Sequence, residues 1–174
     1  MWEGREVTVA LYAGSFDPVH LGHMSVIEHV AGAYDGVVVA VVANPDKPTG
    51  LLDPSTRLRL ITDATSHLPS VRSVQFFGLT VDLARREGAG VLIRSAHKER
   101  GNEVSMVAMN RTVAEIPTVF VPVDVRFRGI SSSLVRSLLA EGHLSDAKAL
   151  VPDAVHASLT AAASERHVGN TPGS

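Results

Sequence analysis

The feature that most constrains the fold is a series of short apolar runs rich in β-branched residues. Runs of this kind, without polar residues at alternate positions, are typical of strands covered on both faces in a parallel sheet. Four such runs are clear and a fifth, at 71–77, is weaker. We therefore predict strands at 7–13, 36–44, 71–77, 90–94 and 118–124.

Helical patterns separate these runs, so the chain alternates between strand and helix. The predicted helices lie at 22–34, 53–68, 79–88, 102–116 and 131–142, and two further helical stretches follow. This order is typical of a parallel sheet with right-handed crossovers and helices on both faces. We predict an α/β, single-domain, Rossmann-like fold of the dinucleotide-binding type over 1–163, with a five-stranded parallel sheet. We expect a disordered tail at 164–174.

Length and composition exclude several functional classes. A chain of 174 residues suits one domain with one sizeable core. A net charge of −2 gives no long-range attraction to nucleic acid or to an anionic membrane. There is no cysteine, which excludes disulfides, thiol catalysis and thiolate metal sites. No run approaches the roughly 18 apolar residues of a membrane helix, and the start of the chain does not resemble a signal peptide. We expect a cytoplasmic protein.

Polar clusters follow the predicted strands. In a parallel α/β sheet, ligands bind beyond the carboxyl ends of the strands, where the strand order reverses. The clusters should therefore meet at one edge of the sheet and form one site. They are AGSFDPVHLGH (13–23), NPDK (44–47), RSAHKER (94–100) and VRFRGISSS (125–133).

The first cluster has the chemistry of an anion site. Gly14 allows close approach of the backbone, and Ser15 supplies a hydroxyl beside it. His20 and His23 stand at the entry to a helix, where free amide groups and the helix dipole favour anions. Two imidazoles there can donate hydrogen bonds to a phosphate. Alternatively, His20 only caps the helix and His23 is a partly buried core residue. Zinc is disfavoured because no third ligand stands at a suitable spacing.

Two of these stretches resemble the signatures of a known superfamily. GSFDPVHLGH (14–23) resembles the T/HxGH motif of the nucleotidyltransferases, and GISSSLVR (129–136) resembles their ISSS/T-x-x-R motif. Members of this superfamily transfer a nucleotidyl group from a nucleoside triphosphate to a phosphate-bearing acceptor. The resemblance is closest to the phosphopantetheine adenylyltransferase family and extends from about Val7 to Ala163.

Carried over position by position, this resemblance implies three sets of site residues. The catalytic set is His23, His20 and Lys47. The nucleotide-binding set is Gly14, Ser15, Phe16, His23, Glu103, Gly129, Ile130, Ser131, Ser132 and Ser133. The acceptor-binding set is Ser15, Lys47, Leu79, Thr80 and Arg94. The resemblance implies no metal held by side chains, with Mg²⁺ bound mainly through the triphosphate. It also implies a homo-oligomer, most often a hexamer.

Several positions depart from the family pattern. Ser95 stands where the family has glycine, and His20 stands where it usually has threonine. The segment before Glu103 is shortened, so His97, Lys98 or Arg100 takes the place of a second arginine. Arg128 and Gly129 precede the second motif in place of an aromatic residue.

These departures leave three functional hypotheses. The first is transfer of AMP from ATP to 4′-phosphopantetheine. The second keeps the chemistry but uses CTP, or a different phosphate or phosphonate acceptor, for example in secondary metabolism. The third is a nucleotide-binding regulator without turnover, which the presence of both histidines, Lys47 and Arg94 disfavours. We expect Asp17 to shape its turn, and Arg57 and Arg59 to face solvent or another subunit.

Overall fold

The computed structural model describes residues 8–43, 50–96 and 115–168. Five strands form one sheet in the order β3-β2-β1-β4-β5, and every neighbouring pair is parallel. The predicted five-stranded parallel sheet is confirmed, with strand ends displaced by one or two residues. The strands are β1 (Val9–Gly14), β2 (Gly36–Val42), β3 (Val71–Phe76), β4 (Ala89–Ala96) and β5 (Thr118–Pro122).

Three of the described helices lie between strands, and three follow the last strand. The helices are α1 (Leu21–Ala31), α2 (Pro54–Ala64), α3 (Thr80–Arg86), α4 (Ser132–Ala140), α5 (Leu144–Lys148) and α6 (Asp153–Val168), with a short 3₁₀ helix at Val125–Phe127. The predicted helix at 102–116 lies outside the described residues, except for its last two positions. Helix α6 continues to Val168, into the segment 164–174 predicted as a tail. Among the helices described, none is long and apolar enough to cross a membrane.

The sheet is buried on both faces, which explains why its strands are apolar without alternation. In β1, Ala10 and Tyr12 belong to one hydrophobic cluster, whereas Leu11 and Ala13 belong to a second. Successive side chains of a strand point to opposite faces, so the two clusters lie on opposite sides of the sheet. Strand β2 divides in the same way. Covering helices on both sides are therefore required by the sequence of the central strands.

Helix α2 begins with a strong capping arrangement. Asp53 accepts a hydrogen bond from the Thr56 amide at 3.0 Å, and Pro54 occupies the first helical turn. Proline suits that position because its missing N–H has no partner there in any case. Hydrogen bonds from the Ser55 hydroxyl, and then from Thr56, hold the pKa of Asp53 well below its usual range. The cap fixes where α2 starts beneath β2 and β3.

The strand order reverses between β1 and β4. From β1, the chain first builds outward through β2 and β3, and then returns to place β4 on the other side of β1. Connections leaving adjacent strands in opposite directions open a crevice at their carboxyl ends. Gly14 at the end of β1 and Ala96 at the end of β4 mark that edge of the sheet.

Candidate active site

A cavity of about 430 Å³ lies at this reversal point. It collects side chains from the β1–α1 loop, from the end of β4 and from the start of α4. The lining residues are Tyr12, Ala13, Gly14, Ser15, Phe16, His20, His23, Arg94, Ser95, Ile130, Ser131, Ser132, Ser133 and Arg136. Three of the four polar clusters contribute described residues to this cavity, as the sequence predicted; the fourth, NPDK at 44–47, lies outside the described residues.

The β1–α1 loop is shaped by close packing around Phe16. A Cβ atom on Gly14 would lie 3.1 Å from Cζ of Phe16, so a side chain there would displace the ring. Phe16 has a φ of 46°, is almost fully buried and meets the His23 ring edge-on at 4.9 Å. Gly14 and Phe16 together hold one side of His23, which explains why the loop needs glycine two residues before an aromatic side chain.

The two histidines cap helix α1 reciprocally. The His23 amide donates to Nδ1 of His20, and the His20 amide donates to Nδ1 of His23, each at 3.3 Å. Their rings stack with centroids 3.6 Å apart. A ring nitrogen that accepts carries no proton, so in the neutral rings the proton sits on Nε2. The cap therefore selects the tautomer in which each imidazole presents an Nε2 donor.

Capping and anion binding are compatible roles for this pair. The sequence left open whether His20 merely caps the helix, and the structure shows that it does cap α1 while also lining the cavity. Gly22 makes this possible, because a Cβ there would lie 3.1 Å from Cε1 and Nδ1 of His20. His23 is only partly buried, which leaves its ring accessible from the cavity. The glycine of the H-L-G-H stretch thus provides room for the first imidazole.

The three serines at 131–133 stand at the start of helix α4 and line the same cavity. Ser131 is the N-cap and accepts from the Leu134 amide at 3.1 Å, as serine commonly does at that position. The Ser132 hydroxyl donates to the Pro18 carbonyl at 2.9 Å and ties α4 to the histidine loop. The cavity is therefore lined by the N-terminus of a helix, a position that favours phosphate groups.

The structure corrects the prediction made for Arg57 from the sequence. The sequence predicted a solvent or subunit contact, but the Arg57 side chain is almost completely buried. Its Nε donates to the Leu52 carbonyl at 2.7 Å and lies 3.4 Å from Oδ1 of Asp17. The prediction was wrong because the partner is 40 positions earlier, beyond the range of any helical pattern. The Asp17 carboxylate contacts Leu52 and Arg57 in a distant segment, whereas the sequence predicted that it shapes its own turn.

Arg136 was not singled out from the sequence, although it is the arginine of the second motif. Its Nη1 donates to the Asp17 carbonyl at 2.6 Å, and its Nη2 donates to the Ser133 hydroxyl at 3.1 Å. It lines the cavity and brings a permanent positive charge to the start of α4. The signal that could have found it is its position, one turn after Ser132 on the same face of α4.

Arg94 and Ser95 enter the cavity from the end of β4. Arg94 is partly buried, in keeping with an arginine that closes an apolar strand. The Ser95 hydroxyl hydrogen-bonds the Tyr12 hydroxyl at 2.5 Å, which joins the central strands β4 and β1 at the base of the cavity. Burial raises the pKa of Tyr12 to about 12. Tyr12 is therefore a neutral hydrogen-bonding group, with no role as a base at ordinary pH.

The raised pKa of Tyr12 predicts a loss of stability in alkaline solution. An unfolded tyrosine releases its proton near pH 10, before the folded one does, so stability falls as the pH rises from about 10 toward about 12. At about pH 11 the expected loss is about 1.4 kcal/mol. Urea unfolding from pH 8 to 11 measures it. Tyr12→Phe should unfold with a shallower pH dependence, and equal slopes for both proteins would contradict the prediction.

Other predicted site residues lie outside this cavity. Leu79 and Thr80 follow β3 at the same edge of the sheet, where Leu79 is exposed, and neither lines the cavity. Gly129 is also exposed and is absent from the lining. The remaining candidates lie outside the described residues. They are Lys47, Glu103, His97, Lys98 and Arg100.

The charges of the cavity suit a phosphate ligand better than a bare metal ion. In the described ranges, no three histidine or acidic side chains come together as a metal site. The polar lining residues that the structure describes supply imidazoles, hydroxyls and two guanidinium groups, and none of these described residues carries a carboxylate. Such donors neutralise phosphate oxygens.

Comparison with known proteins shows which family of proteins the chain belongs to. The cytidylyltransferase-like family model matches residues 11–138, which include the histidine loop, β4 and most of α4. The chain belongs to the cytidylyltransferase-like family. The match spans both motifs, so the predicted nucleotidyltransferase superfamily is confirmed.

The particular relative agrees with the resemblance seen in the sequence. A phosphopantetheine adenylyltransferase from Rhodopirellula baltica is 41% identical over 140 residues, covering 79% of this chain and 78% of that protein. The resemblance to phosphopantetheine adenylyltransferases is therefore confirmed. This identity extends over most of both chains, beyond the short motifs.

Solved structures agree on the fold. A protein of Vibrio parahaemolyticus proposed to be a nicotinate-nucleotide adenylyltransferase matches with a TM-score of 0.64 at 19% identity, covering 89% of this chain and 99% of that one. A lipopolysaccharide core biosynthesis protein of Thermoplasma volcanium matches with a TM-score of 0.51 at 17% identity, covering 68% and 98%. At these identities the likeness concerns the fold alone, and it supports the Rossmann-like architecture.

Proposed function

We propose that the protein transfers AMP from ATP to the phosphate of 4′-phosphopantetheine, giving dephospho-coenzyme A and pyrophosphate. One observation carries the proposal: a reciprocally capped histidine pair, Arg94 and the serine-rich start of α4 line one cavity of about 430 Å³. Nε2 donors and a guanidinium group around such a space suit two phosphate-bearing substrates. The relative from Rhodopirellula baltica supports the choice of acceptor.

The reaction is an in-line displacement. A phosphate oxygen of the acceptor attacks the α-phosphorus of ATP, the bond from that phosphorus to the β-bridging oxygen breaks, and pyrophosphate leaves with the electron pair. Catalysis rests on positioning and on stabilising the charge that develops. His23 would donate from Nε2 to the oxygens of the α-phosphate and the leaving group. His20 would assist from the stacked ring.

Two groups of lining residues would bind the two substrates. Arg94 would bind the acceptor phosphate through a bidentate guanidinium contact, and Ser15 would steady it from the β1–α1 loop. Ser131, Ser132 and Ser133 would hold the β- and γ-phosphates at the start of α4. Since the lining residues within 8–43, 50–96 and 115–168 include no carboxylate, Mg²⁺ would enter with ATP and remain bound mainly to phosphate oxygens and water.

The sequence resemblance supplies the remaining roles. Lys47 would contact the transferring and acceptor phosphates, and Glu103 would contact the nucleotide. Leu79 and Thr80 would contact the pantetheine side of the acceptor. Gly14, Phe16, Gly129 and Ile130 would complete the nucleotide site. A homo-oligomer, a hexamer above all, and a cytoplasmic location are further parts of this proposal.

Pyrophosphate release tests the proposal directly. ATP and CTP, each with Mg²⁺, are offered with 4′-phosphopantetheine, nicotinate mononucleotide or a small phosphonate. His23→Ala serves as the blank. We expect rapid release only with ATP and 4′-phosphopantetheine, and its loss in the variant. Pyrophosphate release with another pair of substrates, and none with this pair, would overturn the choice of substrates. No release with any pair would favour a binding protein.

A different acceptor is the second candidate, and the hydrogen bond between Tyr12 and Ser95 is the observation that favours it. Ser95 stands where the related enzymes have glycine, and its hydroxyl occupies the base of the cavity between β1 and β4. A side chain there alters the space available to the bound substrates. The same panel of acceptors distinguishes this candidate, because the alternative acceptor would then show the higher kcat/KM.

A further inference from the structure

Asp17 is a buried carboxylate at the base of the histidine loop. Only 5% of the residue is exposed, although it stands three positions before His20. It does not line the cavity. Burying an ionised carboxylate is unfavourable unless charges and hydrogen bonds compensate for the lost water. The partners of Asp17 therefore show what its burial achieves.

Those partners come from two distant segments. The amides of Leu51 and Leu52 donate to its Oδ2 and Oδ1 at 2.8 and 2.9 Å. Arg57 lies 3.4 Å from Oδ1, and Arg136 lies 4.0 Å from Oδ2. One carboxylate thus binds residues 50–57, at the start of α2, and also the first turns of α4. Both segments flank the histidine loop.

The contact with residues 50–52 is close enough to exclude any side chain at Gly50. A Cβ there would lie 1.8 Å from Oδ2 of Asp17 and 2.7 Å from Nη2 of Arg57. Arg57 in turn reaches the backbone on both sides: its Nε donates to the Leu52 carbonyl at 2.7 Å, and its Nη1 donates to the Ser15 carbonyl at 3.4 Å. The Asp17–Arg57 pair therefore joins the two segments in a fixed arrangement.

We propose that Asp17 and Arg57 are positioning residues for nucleotidyl transfer, setting the histidine loop against the segment 50–52 and the start of α4. The inference rests on the proposed function for its kinetic readout. Neither side chain lines the cavity, so neither is assigned a contact with substrate. Their effect would act through the orientation of His20 and His23, and small displacements of catalytic groups have large effects on rate.

Asp17→Asn tests the proposal with little change of size. The amide oxygen still accepts one backbone hydrogen bond, but the charge that compensates Arg57 is lost. We expect kcat to fall about 10-fold or more per folded molecule, with the KM for ATP changed less than about twofold. Arg57→Gln is the second variant, because it leaves the carboxylate on the Leu51 and Leu52 amides. The kcat is measured for whichever of the Asp17→Asn and Arg57→Gln variants is fully folded at the assay temperature.

Asp53→Ala is the matched control. Asp53 caps α2 only four residues before Arg57 but is exposed and makes no contact with Asp17 among the contacts described. It should lower the melting temperature by removing the cap, with kcat per folded molecule unchanged. A merely structural role for Asp17 would make Asp17→Asn behave like this control.

Histidine NMR provides a readout that needs no substrate. Two-bond ¹⁵N–¹H spectra distinguish the Nδ1-accepting, Nε2-protonated tautomer from its alternatives. We expect the signals of His20 and His23 to lose this pattern in Asp17→Asn and to keep it in Asp53→Ala. Unchanged tautomers and unchanged kcat in the Asp17 or Arg57 variant would overturn the inference. A different outcome is that the wild-type protein is inactive on 4′-phosphopantetheine while the histidine tautomers change in the variant. That outcome would count against the proposed function and not against the positioning role.

Discussion

His23→Asn is expected to abolish most of the turnover while preserving the fold. Asparagine places an acceptor oxygen near the position of Nδ1, so the hydrogen bond from the His20 amide, 3.3 Å in the native protein, has a replacement. No donor remains at the position of Nε2. Loss of one donor to a developing negative charge typically lowers kcat by about 10²–10³. Pyrophosphate release under saturating substrates measures the effect.

His23→Gln is the matched variant for this prediction. Glutamine restores a donor near the position of Nε2 but offers no acceptor at Nδ1. It therefore keeps the donor that asparagine lacks and lacks the cap acceptor that asparagine keeps. We expect it to lose less turnover than the asparagine variant and more thermal stability, because the cap of α1 is weakened. Turnover of His23→Asn within about threefold of the wild type would contradict a phosphate-facing role for Nε2.

Arg94→Lys is expected to impair use of the acceptor selectively. Lysine keeps the charge but has no planar pair of donors for two phosphate oxygens. Hydrogen bonds to charged groups contribute about 1.5–3 kcal/mol, which corresponds to a fall of about 10- to 100-fold in kcat/KM for the acceptor. The KM for ATP should change little, because Arg94 stands at the end of β4, whereas the proposed triphosphate site is at the start of α4. Steady-state kinetics with each substrate varied in turn measures both constants.

Arg72→Lys is the control for this change. Arg72 lies on β3, pairs with Glu87 and borders a separate depression that contains the amino ends of β1 and β2. The same substitution there should leave both kinetic constants unchanged. If the Arg94→Lys enzyme had a raised KM for ATP and a normal KM for the acceptor, Arg94 would be assigned to the triphosphate and no longer to the acceptor phosphate.

The fold was predictable because its central strands are buried on both faces. Neither β1 nor β2 alternates between apolar and polar residues, since each face contacts its own hydrophobic cluster. That physical requirement is local and therefore visible in the sequence. The candidate site was predictable to the same extent, because the carboxyl ends of β1 and β4 carry GSFDPVHLGH and RSAHKER. The position of both stretches follows from where ligands bind in such sheets.

The residues that hold the site together were not predictable in this way. Arg57 follows a proline and a threonine on a helix whose apolar positions account for the pattern by themselves. Its burial depends on Asp17, and that pairing exists only after β1 and α2 have been brought together. Long-range pairing of this kind leaves no local periodicity. The cap of α1 was partly predictable: the sequence suggested His20 as a cap, but not that the His20 amide donates in return to His23, because imidazole nitrogens are unusual caps beside serine, threonine, aspartate and asparagine.

The hydrogen bonds between α4 and the histidine loop also bear on how the chain acquires its site during synthesis. The contact of Ser132 with Pro18 spans 114 residues, and that of Arg136 with Asp17 spans 119. Contacts between such distant residues form late, because a long loop must first be closed. A growing polypeptide that has left the ribosome only through β4 carries both imidazoles and lacks the serines at the start of α4. Premature termination anywhere before Ser131 should therefore yield a chain unable to bind a triphosphate.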